Sequence, residues 1–368
     1  MTGILQRAVP LLLLAFAACS SSPGKDHRKE LPPAPPAIRY EAGKVYENQA
    51  CRSDAAVTYA IYFPSSYKEG EKLPLFLAFD PDASGLLPVT KYKDLADKYR
   101  FILMGSNTSK NNQSNDETDR IVGNLREEIA TQLPVDPDQL YLTGFSGGSR
   151  IASLICMFQQ GIRGMIGCGA GFAQVQQPPR YNFDYFGIVG DGDFNLQEMI
   201  QLDQRLEEIH ARHYLLIYKG KHQWAPASMM ELGFIWHLRG GITPAFTDAL
   251  AKVKETEPVY TQEMFGKEIR DQELARQQEF LDAFLIRDLD WWKHTLARLR
   301  KTKGIAHEEV AMNQRLLAYL SLVCYSHSKR ALSTGDKKGA TYSITLYGMV
   351  DPDNPEVGRM KAELAKMP

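Results

Sequence analysis

Several things this chain lacks narrow its function before any motif is read. It has no excess charge: 43 Lys and Arg stand against 44 Asp and Glu. A near-neutral balance supplies no electrostatic reason for a nucleic-acid partner. It is poor in cysteine, with five in 368 residues. Cys51, Cys156, Cys168 and Cys324 are scattered too widely for a disulfide framework. Cys156 and Cys168 lie in apolar segments, as buried thiols do. No Cys/His cluster has zinc-ligand spacing, and no cofactor is expected. A hydrophobic content of 44% is that of an ordinary soluble globule, and the length suggests two domains.

The apolar run near the start, Ala8 to Ala18, is too short to span a bilayer well. With Arg7 before it and small residues after it, the run reads as an export signal. Small residues directly before Cys19 resemble the bacterial lipoprotein cleavage box, with Phe16 where Leu is usual. That resemblance implies residues 1–18 as signal peptide and Cys19 as the lipid-bearing first residue of an exported, membrane-anchored protein facing the periplasm or the cell surface. Two or more acyl chains anchor stably. Residues 19–42, rich in Ser and then Pro, read as a tether.

From there to about residue 240, short apolar runs alternate with helical patterns. Strands are expected at 57–63, 73–79, 101–105, 140–143, 164–169, 185–190 and 213–218. Helices are expected at 91–99, 117–133, 149–158 and 196–211. This alternation predicts an α/β fold, a mostly parallel sheet with helices on both faces. Ligand sites in such sheets form at the carboxyl ends of the strands, where the polar loops of this chain gather.

One stretch organises the rest. Gly144-Phe145-Ser146-Gly147-Gly148 lies between a strand and a mostly apolar helix. A serine at the tip of a sharp strand-to-helix turn needs small neighbours, and its hydroxyl stands clear of the sheet beside helix N–H groups. Serine needs a base and an orienting carboxylate to become nucleophilic. His222, in the loop after the last strand, is the best base. His210 and His213 fall at the other end of that strand, and the remaining histidines lie in helical segments or the tether. For the acid, Asp193 is preferred to Asp191 because it reaches further past its strand. The Gly147 N–H is one expected oxyanion donor. The other is assigned to the loop at 80–85, and Pro81 has no N–H, so Asp82 or Ala83 is expected to supply it.

Residues 43–240 resemble the α/β-hydrolase superfamily, and within it the polyhydroxybutyrate-depolymerase and feruloyl-esterase-like branch. The residues that carry the resemblance are Gly144 to Gly148, Asp193-Phe194-Asn195 and Gly220-Lys221-His222-Gln223-Trp224. It implies a Ser146–His222–Asp193 triad and hydrolysis of carboxylic esters without a metal. One departure is Asp80-Pro81, where many members carry His-Gly. Only about a dozen residues, 172–184, stand where many lipases insert a large lid. An open site for a polymer-attached or carbohydrate-linked ester is therefore expected, with Tyr181, Phe186, Phe194 and Trp224 as candidate lining. Asn107, Asn111 and Asn112 are read as solvating a loop.

Residues 241–368 read as an all-helical region, with helices near 262–287, 289–300 and 308–332. Gly335-Asp336, Ala340 and Pro352 resemble the second helix of a tetratricopeptide motif, which implies a surface for a protein partner. Three functions follow: an ester hydrolase, a peptidase using the same triad, or a non-catalytic binding lipoprotein acting through its helices.

Overall fold

The computed structural model describes residues 40–176, 179–284 and 286–367. The signal peptide, Cys19 and nearly all of the tether lie outside the described residues. Five β-strands and three helices lead to and past the Ser146 turn: β1 (Val45–Ala50), β2 (Thr58–Tyr62), β3 (Leu73–Phe79), α1 (Leu86–Tyr99), β4 (Ile102–Ser106), α2 (Asn115–Gln132), β5 (Val135–Phe145) and α3 (Gly147–Phe158). Then come β6 (Gly164–Cys168), β7 (Asp184–Gly190), α4 (Leu196–Glu208), β8 (His213–Tyr218), α5 (Ala227–Arg239), α6 (Pro244–Thr256) and β9 (Val259–Tyr260). A 3₁₀ turn (Gln262–Phe265) and five α-helices complete the described chain: α7 (Lys267–Ala283), α8 (Leu289–Leu299), α9 (His307–Thr334), α10 (Lys337–Val350) and α11 (Pro355–Leu364).

The nine strands form one sheet in the order β1-β2-β4-β3-β5-β6-β7-β8-β9. Neighbours among β3 to β8 pair in parallel, and antiparallel pairs close both edges. The central strands bury on both faces, which explains their continuous apolar runs, as in Leu75 to Phe79. One face packs Leu75, Leu77, Ile121, Leu125 and Ile155 into a core with α2 and α3. The other packs Phe76, Tyr92, Phe101, Phe234 and Trp236 with α1 and α5. All four described cysteines are buried free thiols, and burial pushes Cys168 up to about 12.

The sheet-side core takes in residues beyond 240. Phe246 and Val253 of α6 join the α1/α5 face, and β9 pairs with β8. The helices α7 to α11 bury a separate core around Trp292, Leu316, Leu320, Ile344 and Tyr347. Gly335, at φ +76°, caps α9, and Asp336 caps α10 by accepting from the Gly339 N–H, so the two helices form a hairpin. Ala340 is fully buried in the helical core. Among the described residues no helix is long and apolar enough to cross a membrane.

Candidate active site

The Ser146 turn is strained, and its surroundings hold it so. Ser146 sits at φ +52° and ψ −120°, a conformation non-glycine residues rarely adopt. Its N–H donates to the Cys168 carbonyl at the end of β6, 2.9 Å away. Gly144 and Gly148 are required by close approach. A Cβ on Gly148 would overlap the Phe79 carbonyl, and one on Gly144 would overlap the Gly148 carbonyl. Strand and helix thus cross at a spacing only glycine permits.

His222 Nε2 lies 2.9 Å from Ser146 Oγ. Its Nδ1 lies 3.0 Å from each carboxylate oxygen of Asp193. The structure therefore brings together three residues 29 and 76 positions apart in the chain. Asp193 is 1% exposed, and the Asn195 N–H also donates to it at 2.9 Å. The His222 ring packs against Phe194, with centroids 4.2 Å apart, and against Phe145 at 4.7 Å. A buried carboxylate on one ring nitrogen selects the tautomer that leaves the other free to accept from the serine hydroxyl.

Asp191 does different work. Its carboxylate accepts from the Gly220 N–H at 3.0 Å, tying the loop after β7 to the loop that carries His222. The Asp191 carbonyl accepts from Arg315 Nη1 of α9 at 2.7 Å. Arg315 and Glu273 of α7 are both 0% exposed and form a forked ion pair at 2.7 to 3.0 Å. No sequence signal singled out Arg315 or Glu273. A charged residue on an amphipathic helix ordinarily reads as solvated.

The assignment of Asp82 as oxyanion donor is corrected by the geometry. The Asp82 N–H donates to the Asp80 carboxylate at 2.9 Å, the Ala83 N–H turns to the Asp80 carbonyl at 3.3 Å, and Asp82 is exposed outside the cleft. Asp80 is the hub of that loop. It is 4% exposed, and its other carboxylate oxygen accepts from the Trp224 indole at 2.7 Å. A carboxylate under the loop draws the loop amides inward. Gly147, the other expected donor, begins α3 and lines the cleft beside Ser146. The carboxamide of Asn111, read from sequence as solvating, also lines the cleft and lies directly against Gly147.

The cleft around Ser146 measures about 740 Å³. Of the four aromatic lining candidates only Phe194 lines it. Phe186 and Trp224 are buried in the core, and Tyr181 stacks on Phe172 beside a separate cavity. The expected open site is instead walled on its far side by α9 and α10. Arg150, on the near side, is held by a two-point ion pair to Glu198 at 2.7 and 2.8 Å.

Sheet order, the strained serine turn and the strand-end cluster define a fold of the α/β-hydrolase type with an added helical region. No family model matches the chain, and no curated protein matches it. Among solved structures the chain is similar to S-formylglutathione hydrolase from Staphylococcus aureus, at 10% identity and a TM-score of 0.44, covering 53% of this chain and 98% of that one. It is also similar to a ferulic acid esterase at 14% identity and a TM-score of 0.43, over 57% and 99% of the two chains. A third is the acylaminoacyl peptidase of Pyrococcus horikoshii, at 11% identity and a TM-score of 0.37, over 53% and 40%.

Proposed function

We propose that the protein is a serine hydrolase of carboxylic esters. The observation that carries this reading is the unbroken hydrogen-bond chain from Ser146 through His222 to the buried Asp193, mounted on a strained turn. Ser146 Oγ attacks the ester carbonyl while His222 Nε2 takes its proton. The imidazolium is stabilised by Asp193 and returns the proton to the departing alcohol as the C–O bond breaks. Water, deprotonated by the same imidazole, then cleaves the acyl-serine and frees the acid.

The oxyanion is assigned to two donors, the Gly147 N–H and the Asn111 side-chain amide. The Asn111 carboxamide lines the cleft against Gly147, with Oδ1 nearest and the Nδ2 amide beyond it, and that amide is proposed as the donor in place of Asp82 or Ala83. Replacing Ser146 with Ala is expected to lower kcat on an aryl ester by about 10⁶-fold and to abolish labelling by a fluorophosphonate. Wild-type turnover in Ser146→Ala would overturn the proposal. Turnover of peptide amides by the wild type that is lost in Ser146→Ala would make it a peptidase.

We also propose, from the leading residues, that the protein is exported and held at a bacterial membrane by lipid on Cys19.

A further inference from the structure

Helix α9 carries two stripes. One, with Met312, Leu316, Leu320 and Cys324, is buried in the core of the helical region. The other is Gln314, Leu317, Ala318, Ser321, Leu322 and Tyr325, which recur every three or four residues and so share one face. That second face lines the cleft opposite Ser146, together with Tyr347 and Val350 of α10. Leu322 is 43% exposed there and lines the cleft with Leu317 and Tyr325, so the face offers a contiguous apolar surface rather than one stray side chain. At the far end Asp351 accepts from Ser321 Oγ at 3.1 Å and Asn354 Nδ2 at 2.9 Å, which fixes a carboxylate in the wall. On the opposite side Arg150 is already paired with Glu198, and Lys221 is exposed.

We propose that this face of α9 and α10 binds the neutral, apolar arm of the ester substrate, several carbons long. The proposal rests on Ser146 being the nucleophile of an ester hydrolase. A cleft of about 740 Å³ is of the size that encloses a whole organic ligand, so an acetyl group leaves most of it unfilled. The aliphatic and aromatic stripe gives an added methylene somewhere to be buried. The fixed carboxylate of Asp351 opposes an arm that ends in an acid.

The test is a substrate series. p-Nitrophenyl acetate, butyrate and hexanoate vary the acyl arm, and acetates of ethanol, butanol and hexanol vary the alcohol arm. In one of the two series kcat/KM is expected to rise about three- to fourfold per methylene buried. The series that rises identifies the arm the wall holds. Where the acyl series is the one that rises, a p-nitrophenyl hemisuccinate is expected to react more slowly than the butyrate. Ala318→Trp fills the wall and should lower the longest-to-shortest kcat/KM ratio of the rising series at least tenfold. Leu322→Ala, at an exposed position that leaves folding nearly unchanged, should lower the same ratio several-fold. Flat or falling kcat/KM in both series would overturn the proposal. So would preference for the hemisuccinate where the acyl series rises, or an unchanged ratio in an Ala318→Trp protein that still reacts with a fluorophosphonate. A wild type inert to fluorophosphonate and to every ester would instead remove the hydrolase reading on which the proposal stands.

Discussion

Replacing Arg315 with Met isolates what the helical region does for the site. The guanidinium is 0% exposed, forks onto Glu273 at 2.7 to 3.0 Å and donates to the Asp191 carbonyl at 2.7 Å, two residues before Asp193. Arg315→Met leaves a buried carboxylate without its cation, which costs about 3–5 kcal/mol. That is a large share of the roughly 5–15 kcal/mol by which a domain is stable. In Arg315→Met/Glu273→Leu no charge is left behind, so the penalty reduces mainly to the Asp191 carbonyl losing its donor, about 1–3 kcal/mol. The assay is a double-mutant cycle read by guanidinium unfolding, with kcat measured on p-nitrophenyl acetate for each protein. Both single variants should unfold at clearly lower denaturant, and the double variant should return most of the way to wild type. Its kcat should stay depressed, because the loop before Asp193 has lost its anchor. A double variant as unstable as the sum of its singles would refute the buried-pair argument. A double variant with wild-type kcat would refute the anchoring of the acid loop.

Further predictions concern the oxyanion, acid pH and the anchor. Asn111→Ala is expected to lower kcat about 10²–10³-fold with little change in KM, read on an aryl ester. His237 is buried beside Phe76 and Tyr141, donates through Nε2 to the Met165 carbonyl, and is held neutral by burial, its pKa lowered from 6.5 to about 3. The unfolded chain therefore takes up a proton below pH 6.5 that the folded chain refuses. Stability is full above pH 6.5 and falls as pH drops toward 3. At 1.36 kcal/mol per unit, the step from pH 6.5 to 5 costs about 2 kcal/mol, and His237→Gln should flatten that limb of a Tm-against-pH curve. Cys19→Ser should abolish incorporation of labelled palmitate and release the protein from bacterial membranes. Continued membrane association without label would refute the lipid anchor.

How much was legible depended on how local the governing physics is. The strands β3, β4, β6, β7 and β8 were legible because burial on both faces demands unbroken apolar runs. The edge strand β1 was not, since Val45-Tyr46-Glu47-Asn48-Gln49-Ala50 is half-exposed and mixes polar with apolar residues. Helix α6 was missed although Thr243 and Pro244 carry a cap signature, with the Thr243 hydroxyl accepting from the Phe246 N–H. Two-residue β9 gives no periodic signal at all. The serine turn was readable because its steric demand falls on five adjacent residues.

By itself, the sequence determined the buried strands and the position of the strained serine, because apolar period and glycine spacing act over a few neighbouring residues. It also placed candidate partners for Ser146 at strand ends. Only the tertiary structure decided which carboxylate meets His222, since Asp191 and Asp193 differ by two positions in one loop and diverge only when Gly220 claims the first. It alone turned the Asp82 amide away to Asp80, brought Asn111 against Gly147, and swung α9 and α10 across the cleft from more than a hundred residues downstream. Hydrogen bonds and packing between distant segments depend on relative position in space, and that position is the outcome of the whole chain folding at once.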